Sequence, residues 1–431
     1  MSRKKVIFCL FLVLGRNALA QEQEKEFKSQ RKIPPGMEQP LSGGALSGPL
    51  RWMLKPLDRG MFIRLPIVDT DPNRGVTTGV MPIWVLKQKS GGDRIEKIYA
   101  PSLTYNSNFF ITPTFRYYYY PAPDETLNIR GSFARYEREA MGEWEDQTFL
   151  ERDIDFSMRI QYSIDASQRF FGIGPDTPQT DEANYKELFL QYKVFAGVPL
   201  AKDSLWRVHA SNHVRGEKIG NGPLKGLRGF NDTYPGLAPQ HYQQTNEMRA
   251  ILDYDSRDHQ VTTSEGSFFQ VYSEHSVRGL ASAYDYNRYG VDGRHFFKWP
   301  NKSQVTALQF KYEQLMGNAP FWLLPKLGGK YNLRAYGEGR YIDRGMMMVN
   351  AEQRIVFYKL DTAGVDTELE VAPFAGLGTV LHTPGRMARR YIRPVVGAAI
   401  RAIARPQVVG SVDFGVGQEG LAAFMDINYS F

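Results

Sequence analysis

Cysteine is nearly absent from this sequence of 431 residues, because Cys9 is the only one. A chain with one cysteine forms no internal disulfide, and it has no site with several thiolate metal ligands. Its seven histidines are scattered, and none stands at metal-ligand spacing from a second ligand. The G-x-S-x-G, H-E-x-x-H and P-loop motifs are missing as well. We therefore expect no metal, no cofactor and no enzymatic activity.

Long hydrophobic runs are also missing. After residue 20, no stretch has the roughly 18 consecutive apolar residues that a membrane helix requires. Aromatic residues nevertheless make up 13% of the chain, while the mean hydropathy is −0.40. Such a composition is too polar for a helical membrane protein and unusually aromatic for a soluble one. Membrane-spanning β-strands, which alternate lipid-facing apolar residues with inward polar ones, account for both properties.

The amino terminus has the pattern of a secretory signal peptide. A basic segment at residues 2–5 precedes an apolar run at residues 6–14, and residues 18–20 (Ala-Leu-Ala) form a small-residue cleavage site. We predict that residues 1–20 are a cleavable signal peptide. Residues 21–58 are charged and then rich in proline and glycine, which predicts a short, disordered periplasmic arm. The net charge of +7 indicates contact with anionic lipid headgroups rather than with nucleic acid.

From residue 59 onward, strand-like runs recur between turn signals, and sixteen such runs can be counted. The clearest covers residues 154–164, where apolar residues such as Met158 alternate with polar ones such as Ser157. Short turns alternate with longer loops, as in bacterial outer-membrane barrels. We predict an all-β protein whose residues 59–431 form a sixteen-stranded antiparallel transmembrane β-barrel in the bacterial outer membrane.

Residues 327–357 combine a loop and a strand. Residues 327–345 are rich in glycine and arginine and show no periodicity, which predicts a long loop. From Met346 a strand begins, with Asn350, Glu352 and Arg354 on one face. An arginine-bearing loop followed by a strand with an inward carboxylate is a means of folding a loop back onto a sheet.

The same stretch resembles a known family. Its succession of L-G-G, L-R-A-Y, G-R, an acid–arginine pair and E-x-R is similar to the sixth outer loop and next strand of the outer-membrane surface-antigen superfamily. That superfamily includes the BamA/TamA assembly barrels. Residues 169–185, residues 252–268 and the chain from Val371 onward resemble further segments of it. The resemblance covers roughly residues 60–431 and implies that a long sixth outer loop is folded into the lumen.

The resemblance also implies an anchor for this loop. By position, the family's loop arginine is Arg334, its first acidic partner is Glu352, and Tyr336 belongs to the same anchor. The family's second acid stands in an F-x-D-x-G pattern, and here Gly376 replaces it. The glycine that follows the arginine in the family is replaced by Ala335. We therefore expect one ion pair where the family has two carboxylates.

Other residues have candidate roles in the same barrel. Glu368 and Glu370 face inward and are possible substitutes for the missing acid. A terminal aromatic residue, Phe431, is similar to the C-terminal signal by which outer-membrane barrels are recognised for insertion. Four arginines in the seventh outer loop and at the start of the next strand are candidates for contact with lipopolysaccharide phosphates, with a solvated loop as the alternative: Arg386, Arg389, Arg390 and Arg393.

Members of this superfamily insert or translocate proteins, or move lipid, by opening the seam between the first and last strands. Residues 21–58 are too short for the POTRA modules that precede most of these barrels, so we expect either a separate periplasmic partner or client, or action within the membrane alone. Our leading hypothesis is a non-enzymatic barrel that assists assembly or translocation of outer-membrane components. The alternative is a passive channel or structural barrel. An enzyme comes third, because Asp253, Asp255, Asp258 and His259 are expected to stabilise a solvated periplasmic turn.

Overall fold

The computed structural model describes residues 52–89, 94–239, 241–300, 303–362, 365–404, 408–426, 429 and 431. The predicted signal peptide and the predicted arm up to residue 51 lie outside these described residues. Among the helices of the described residues, none has the length and apolar character needed to cross a membrane.

The described chain consists almost entirely of β-strands. The strands of its first half are β1 Leu54–Leu57, β2 Gly60–Asp69, β3 Thr77–Lys87, β4 Ile95–Tyr99, β5 Ser102–Asn106, β6 Phe110–Tyr119, β7 Glu125–Phe133, β8 Glu137–Asp146, β9 Asp155–Asp165, β10 Arg169–Phe170, β11 Ala183–Pro199 and β12 Trp206–Asn221.

The strands of the second half include β17 and β20, which bracket the long loop of residues 319–344. They are β13 Arg228–Gly229, β14 Gln243–Asp255, β15 Gly266–Ser276, β16 Asp285–Lys298, β17 Gln304–Asn318, β18 Lys326–Leu327, β19 Tyr341–Ile342, β20 Gly345–Thr362, β21 Val365–Leu381, β22 Arg393–Ala404, β23 Val408–Gly417 and β24 Gly420–Asp426. Helical elements are single turns: α1 Phe230–Thr233 and the 3-10 turns Phe149–Glu151, Gln179–Asp181, Phe321–Leu323, Pro384–Arg386 and Arg389–Tyr391.

The long strands form one antiparallel ladder in chain order. It runs from β2 to β24, with β4 and β5 sharing one position between β3 and β6. The short strands β10, β13, β18 and β19 lie in the outer loops. The ladder returns to its start, because the backbone N–H of Thr70, after β2, donates to the carbonyl oxygen of Ala423 in β24 at 2.9 Å. The sheet therefore closes into the predicted all-β barrel.

The prediction of sixteen strands was wrong in number, because it omitted β2 and β8. In β2 both faces are largely apolar, as Ile63 and Phe62 illustrate, so no alternation is visible. In β8, which reads EREAMGEWED, polar residues fall on both faces. The predicted arm also ends in regular structure, since β1 forms a hairpin with the first half of β2, from Leu54 opposite Ile63 to Leu57 opposite Gly60.

The alternation predicted for residues 154–164 is confirmed in β9. Met158 and Ile160 are 39% and 50% exposed on the outer face of the barrel. On the inner face, Arg159 Nη2 lies 2.6 Å from Glu143 Oε1 in β8. This wall is therefore apolar outside and charged inside, as a membrane barrel requires.

Arginine should be tolerated very differently at neighbouring positions of β9. We expect Met158→Arg to lower the free energy of unfolding by ~2–4 kcal/mol near the bilayer midplane, because a lipid-facing guanidinium loses its hydration. Ser157→Arg, on the inner face, is the control. Urea titration of the barrel folded into lipid vesicles measures both, and equal losses would contradict the strand register.

Candidate functional site

The loop of residues 319–344, between β17 and β20, is the one that the resemblance assigns as the sixth outer loop, and it lies against the inner face of the last strands. The small hairpin of β18 and β19 braces it, with Lys326 opposite Ile342 and Leu327 opposite Tyr341. The loop side chains that pack against β20, β21 and β22 are buried: Leu327, Leu333, Ala335, Tyr336 and Tyr341. We call this segment loop six.

Glycines on β21 and β23 allow the backbone of loop six to approach the wall closely. A Cβ at Gly415 would stand 1.6 Å from the carbonyl oxygen of Arg334, and one at Gly417 would stand 2.9 Å from the Tyr336 ring. A Cβ at Gly378 would lie 2.8 Å from Leu327. Because only glycine lacks a Cβ, these positions form a flat seat for the loop.

Arg334 is 2% exposed and contacts two carboxylates. Its Nη1 lies 2.8 Å from Glu352 Oε2 and 2.6 Å from Asp413 Oδ2, and its guanidinium carbon lies 3.6 Å from the centroid of the Phe374 ring. The expectation of a single ion pair was therefore wrong, because Asp413 on β23 supplies a second acid. At Gly376, where the family's aspartate was sought, a Cβ would meet Asn350 Oδ1 at 2.2 Å.

Glu352 binds two further arginines besides that of loop six. Its Oε1 accepts hydrogen bonds from Arg354 Nε at 2.9 Å and from Arg401 Nη1 at 2.7 Å, and its Oε2 accepts one from Arg401 Nη2 at 2.8 Å. Arg401 Nη1 also lies 2.9 Å from Glu370 Oε1. We call these residues the arginine–carboxylate cluster: Arg334, Arg354, Arg401, Glu352, Glu370 and Asp413. All six are at most 3% exposed, and their formal charges cancel.

The two proposed substitute acids have different places. Glu370 belongs to the arginine–carboxylate cluster through Arg401. Glu368 Oε1 lies 3.0 Å from Lys359 Nζ, on the neighbouring strand β20. Sequence reasoning missed Arg401 and Asp413, although the alternation of β23 places Asp413 on the same face as Ser411 and Gly415.

The outer end of loop six contacts other loops. Arg340 Nε lies 2.6 Å from Glu419 Oε1, and its Nη2 donates to the Thr177 carbonyl oxygen at 2.9 Å. The Tyr336 hydroxyl donates to the Pro394 carbonyl oxygen at 3.2 Å. Burial raises the pKa of Tyr336 and raises that of Tyr341 to about 12, so both hydroxyls stay protonated at neutral pH.

The predicted lipopolysaccharide-contacting arginines divide into two groups. Arg393 is half-buried, with Nη1 donating to Gln418 Oε1 at 2.7 Å and Nη2 donating to the Pro175 carbonyl oxygen at 2.8 Å. The other three are exposed: Arg386, Arg389 and Arg390.

The C-terminal residue does not extend the last strand. The described part of β24 ends at Asp426, and Phe431 is only 7% exposed, packed against Phe296 and Ala307. Its carbonyl oxygen accepts a hydrogen bond from Arg354 Nη2 at 2.8 Å. Arg354 therefore joins the arginine–carboxylate cluster to the chain terminus.

The periplasmic turn between β14 and β15 also reaches Arg354, whose Nη1 donates to the Thr263 carbonyl oxygen at 3.2 Å. Thr263 is 5% exposed, whereas Asp258 in the first half of the turn is exposed. Asp258 Oδ1 accepts from the backbone N–H of Ser264 at 2.8 Å, which is a turn-stabilising contact. Within the described residues, no group of three or more His, Cys, Asp or Glu is placed to hold a metal ion.

The junction between β2 and β24 is sparsely bonded. Among the described residues, one main-chain hydrogen bond joins its two sides, from Thr70 to Ala423, and the Ala423 N–H returns a bond to Thr70 Oγ1 at 2.8 Å. By contrast, β24 is paired with β23 along its whole described length, from Gly420 to Asp426. We call the β2–β24 junction the seam.

A closed β-barrel with an apolar outer face, an inward loop and a buried ionic cluster defines a membrane β-barrel protein. Residues 124–415, more than half of the chain, match the model of the Omp85 superfamily domain. The chain belongs to the Omp85 superfamily, whose barrels lie in the outer membrane and mediate protein assembly or secretion there. The predicted family is thereby confirmed.

Two solved structures illustrate the likeness. BamA from Haemophilus ducreyi lacking POTRA domains 1–3 is 12% identical with a TM-score of 0.53, covering 81% of this chain and 75% of its own. CdiB from Acinetobacter baumannii is 10% identical with a TM-score of 0.46, covering 85% and 65%. At this identity the likeness to BamA concerns the fold alone. A search of curated protein sequences found no match.

Proposed function

We propose that this protein is a non-enzymatic outer-membrane barrel that assists the assembly, insertion or translocation of outer-membrane components by opening its seam. The observation that carries this proposal is the bonding of the seam. Strands β23 and β24 are paired continuously from Gly417–Gly420 to Ser411–Asp426, with the main-chain hydrogen bonds of an antiparallel ladder. Across the seam, by contrast, the described residues make one main-chain hydrogen bond, from Thr70 to Ala423. The barrel wall therefore opens most easily between its first and last strands.

Loop six would fix one side of this opening. Arg334, Glu352 and Tyr336 anchor the loop in the lumen, and the arginine–carboxylate cluster links loop six to β20, β21, β22 and β23. Buried ion pairs of this kind are costly to break, because separation leaves a charge without a partner. We expect the strands of the cluster to remain together while β24 and β2 part.

Two partners are proposed, a periplasmic protein at the seam and lipopolysaccharide at the exposed arginines of the outer loops. A periplasmic client or partner protein would reach the seam from the side of β1, the first described strand. On the opposite side, the exposed guanidiniums of Arg386, Arg389 and Arg390 are suited to lipopolysaccharide phosphates, because their forked donors match phosphate oxygens. Arg393 is omitted from this set, since loop contacts already bind its guanidinium.

Locking the seam should abolish the proposed activity. Thr70→Cys with Ala423→Cys places two cysteines across the bonded pair, and the mature chain is expected to contain no other. Oxidation should stop assembly of a client barrel in reconstituted vesicles, and reductant should restore it. The matched control is Val416→Cys with Leu421→Cys, a pair between β23 and β24 that should be harmless. Full activity of the locked seam, together with a large and steady conductance in planar bilayers, would favour the passive channel instead.

Deletion of Phe431 separates its two proposed roles. If the residue is the C-terminal insertion signal, the truncated chain should accumulate in the periplasm at the expense of the outer membrane. Phe431→Tyr, which keeps the aromatic ring and the terminal carbonyl oxygen, is the control. Membrane fractionation measures the distribution. A normal outer-membrane yield of the truncated chain would contradict the signal and leave only the contact with Arg354.

A further inference from the structure

The barrel wall is interrupted three strand positions from the seam. β3 pairs with β4 through residues 84–87 and with β5 through residues 77–80, so residues 81–83 have no ladder partner on that side. Three neighbouring strand positions carry a proline here, and proline has no N–H to donate to the ladder: Pro82, Pro101 and Pro113. The wall consequently lacks ladder hydrogen bonds at this point, and a groove of about 730 Å³ lies here.

The groove faces outward and is lined by apolar side chains. Those with the largest exposed fractions are Val80, Leu103, Phe115 and Phe133, each between 48% and 59% exposed. Gly131 leaves part of the floor without a side chain. The one carboxylate of the lining, Glu139, is bound by Arg130 Nε at 2.8 Å, so it does not present a free negative charge.

The groove lies in the half of the barrel that faces the outer loops. The turn between β2 and β3 contacts loop six, because Asn73 Nδ2 donates to the Glu338 carbonyl oxygen at 2.8 Å. The same turn contacts the β7–β8 turn, where Arg74 Nη1 donates to Glu137 Oε1 at 3.1 Å. Val80 and Phe133 stand within a few residues of these turns. In the outer membrane this half is surrounded by the outer leaflet.

Two guanidiniums stand at the outer rim of the groove. Arg138 is the ladder partner of Phe133, and its guanidinium carbon lies 4.9 Å from the centroid of that ring. The Arg135 guanidinium lies 5.0 Å from the Tyr136 ring. Both arginines are exposed, and the neighbouring acids Glu137 and Glu139 are engaged by other arginines. The rim therefore presents positive charge above an apolar groove.

We propose that this groove binds a phosphorylated, acylated glycolipid of the outer leaflet, of the lipid A class. An acyl chain fills the groove and makes van der Waals contacts with its apolar side chains. A phosphate of the same lipid accepts hydrogen bonds from Arg135 and Arg138. The proposal rests on the orientation of the barrel given under the proposed function. It is separate from seam opening, so either can fail without the other.

The test uses the full mature chain folded in detergent and titrated with lipid A, with bound lipid counted by native mass spectrometry. Gly131→Leu should fill the groove, since a Cβ there has its nearest neighbour at 3.8 Å. Arg135→Ala with Arg138→Ala removes the rim charge. The double arginine variant is expected to weaken lipid A binding at least about tenfold, because even one lost charge-assisted contact has that effect. Gly131→Leu is expected to weaken it by about the same factor, because the new side chain occupies the space of the acyl chain. Dephosphorylated lipid A should bind wild type as weakly as phosphorylated lipid A binds the double arginine variant.

The controls change the same residue types outside the groove. Gly142→Leu lies on the next strand, where a Cβ meets nothing within 4 Å, and Arg59→Ala with Arg152→Ala removes two exposed charges elsewhere. Both should bind like wild type. Unchanged lipid A binding in the Arg135 and Arg138 double variant would overturn the proposal. Equal affinity for phosphatidylglycerol would overturn the assignment to a glycolipid. Heat-modifiable migration verifies that every variant is folded.

Discussion

Glu352→Ala is expected to release loop six from the barrel wall. The substitution leaves three buried guanidiniums, those of Arg334, Arg354 and Arg401, without their shared carboxylate. Removing one partner of a buried ion pair costs ~3–5 kcal/mol, and here the loss leaves three arginines with two acids, Asp413 and Glu370, so one buried positive charge is uncompensated. Added protease should then cut the loop near Tyr336. Lys359→Ala, an exposed lysine on the same strand outside the arginine–carboxylate cluster, is the control and should leave the loop resistant.

A double-mutant cycle tests whether the contact itself is responsible. Arg334→Ala with Glu352→Ala should cost less than the sum of the single changes, because the two side chains meet at 2.8 Å. Arg334→Ala with Asp413→Ala should show coupling as well, since Asp413 lies 2.6 Å from the same nitrogen. Loop proteolysis and heat-modifiable migration are measured for each variant. Strict additivity in both cycles would mean that loop six is held by something other than Arg334.

Gly415→Ala should displace loop six without touching any charge. The added Cβ would stand 1.6 Å from the carbonyl oxygen of Arg334, and backbone on both sides of the contact has to move. Overpacking of this kind costs ~1–3 kcal/mol. The expected result is a protease-sensitive loop in a barrel that is still folded.

Gly410→Ala is the matched control for that experiment. It lies on the same strand, β23, and its Cβ would have its nearest neighbour, the Ala402 carbonyl oxygen, at 3.9 Å. The two variants change strand propensity alike, so they differ only in the steric contact with loop six. Equal protease resistance of both would show that the seat of glycines is dispensable.

The alternation of polar and apolar residues was sufficient to predict which side chains face inward in much of the barrel wall. The period of two in β9 placed Met158 outward, and the same rule placed Glu352 and Arg354 on one face of β20. It failed for β2, because a strand with alike residues on both faces carries no periodic signal, and for β8, where Arg138 and Asp146 place polar residues at both ends of the otherwise apolar face. Strand number is therefore less predictable than strand orientation.

The second acid of the loop anchor could not be found from motif position alone. The family pattern directed attention to Gly376, whereas Asp413 reaches Arg334 from a strand 79 residues away in sequence. A carboxylate on either β21, which carries Gly376, or β23, which carries Asp413, could approach the loop arginine, and the spacing of residues in the sequence does not show which strand supplies it. Phe431 presents the same difficulty, since an alternating pattern does not show where a chain leaves its sheet.

The hairpin of β1 and β2 has a consequence for how the barrel meets other chains. An unpaired strand edge is a template for pairing with any extended segment, and proteins protect such edges against aggregation. Here Leu57 and its neighbours in β1 occupy the edge of β2 opposite Gly60 to Ile63. Because a two-residue turn tethers β1 to β2, β1 is present at a high effective concentration beside this edge, and an incoming strand has to compete with it. Weakly pairing segments are thereby rejected, and only a strand that bonds more strongly than these four residues displaces them.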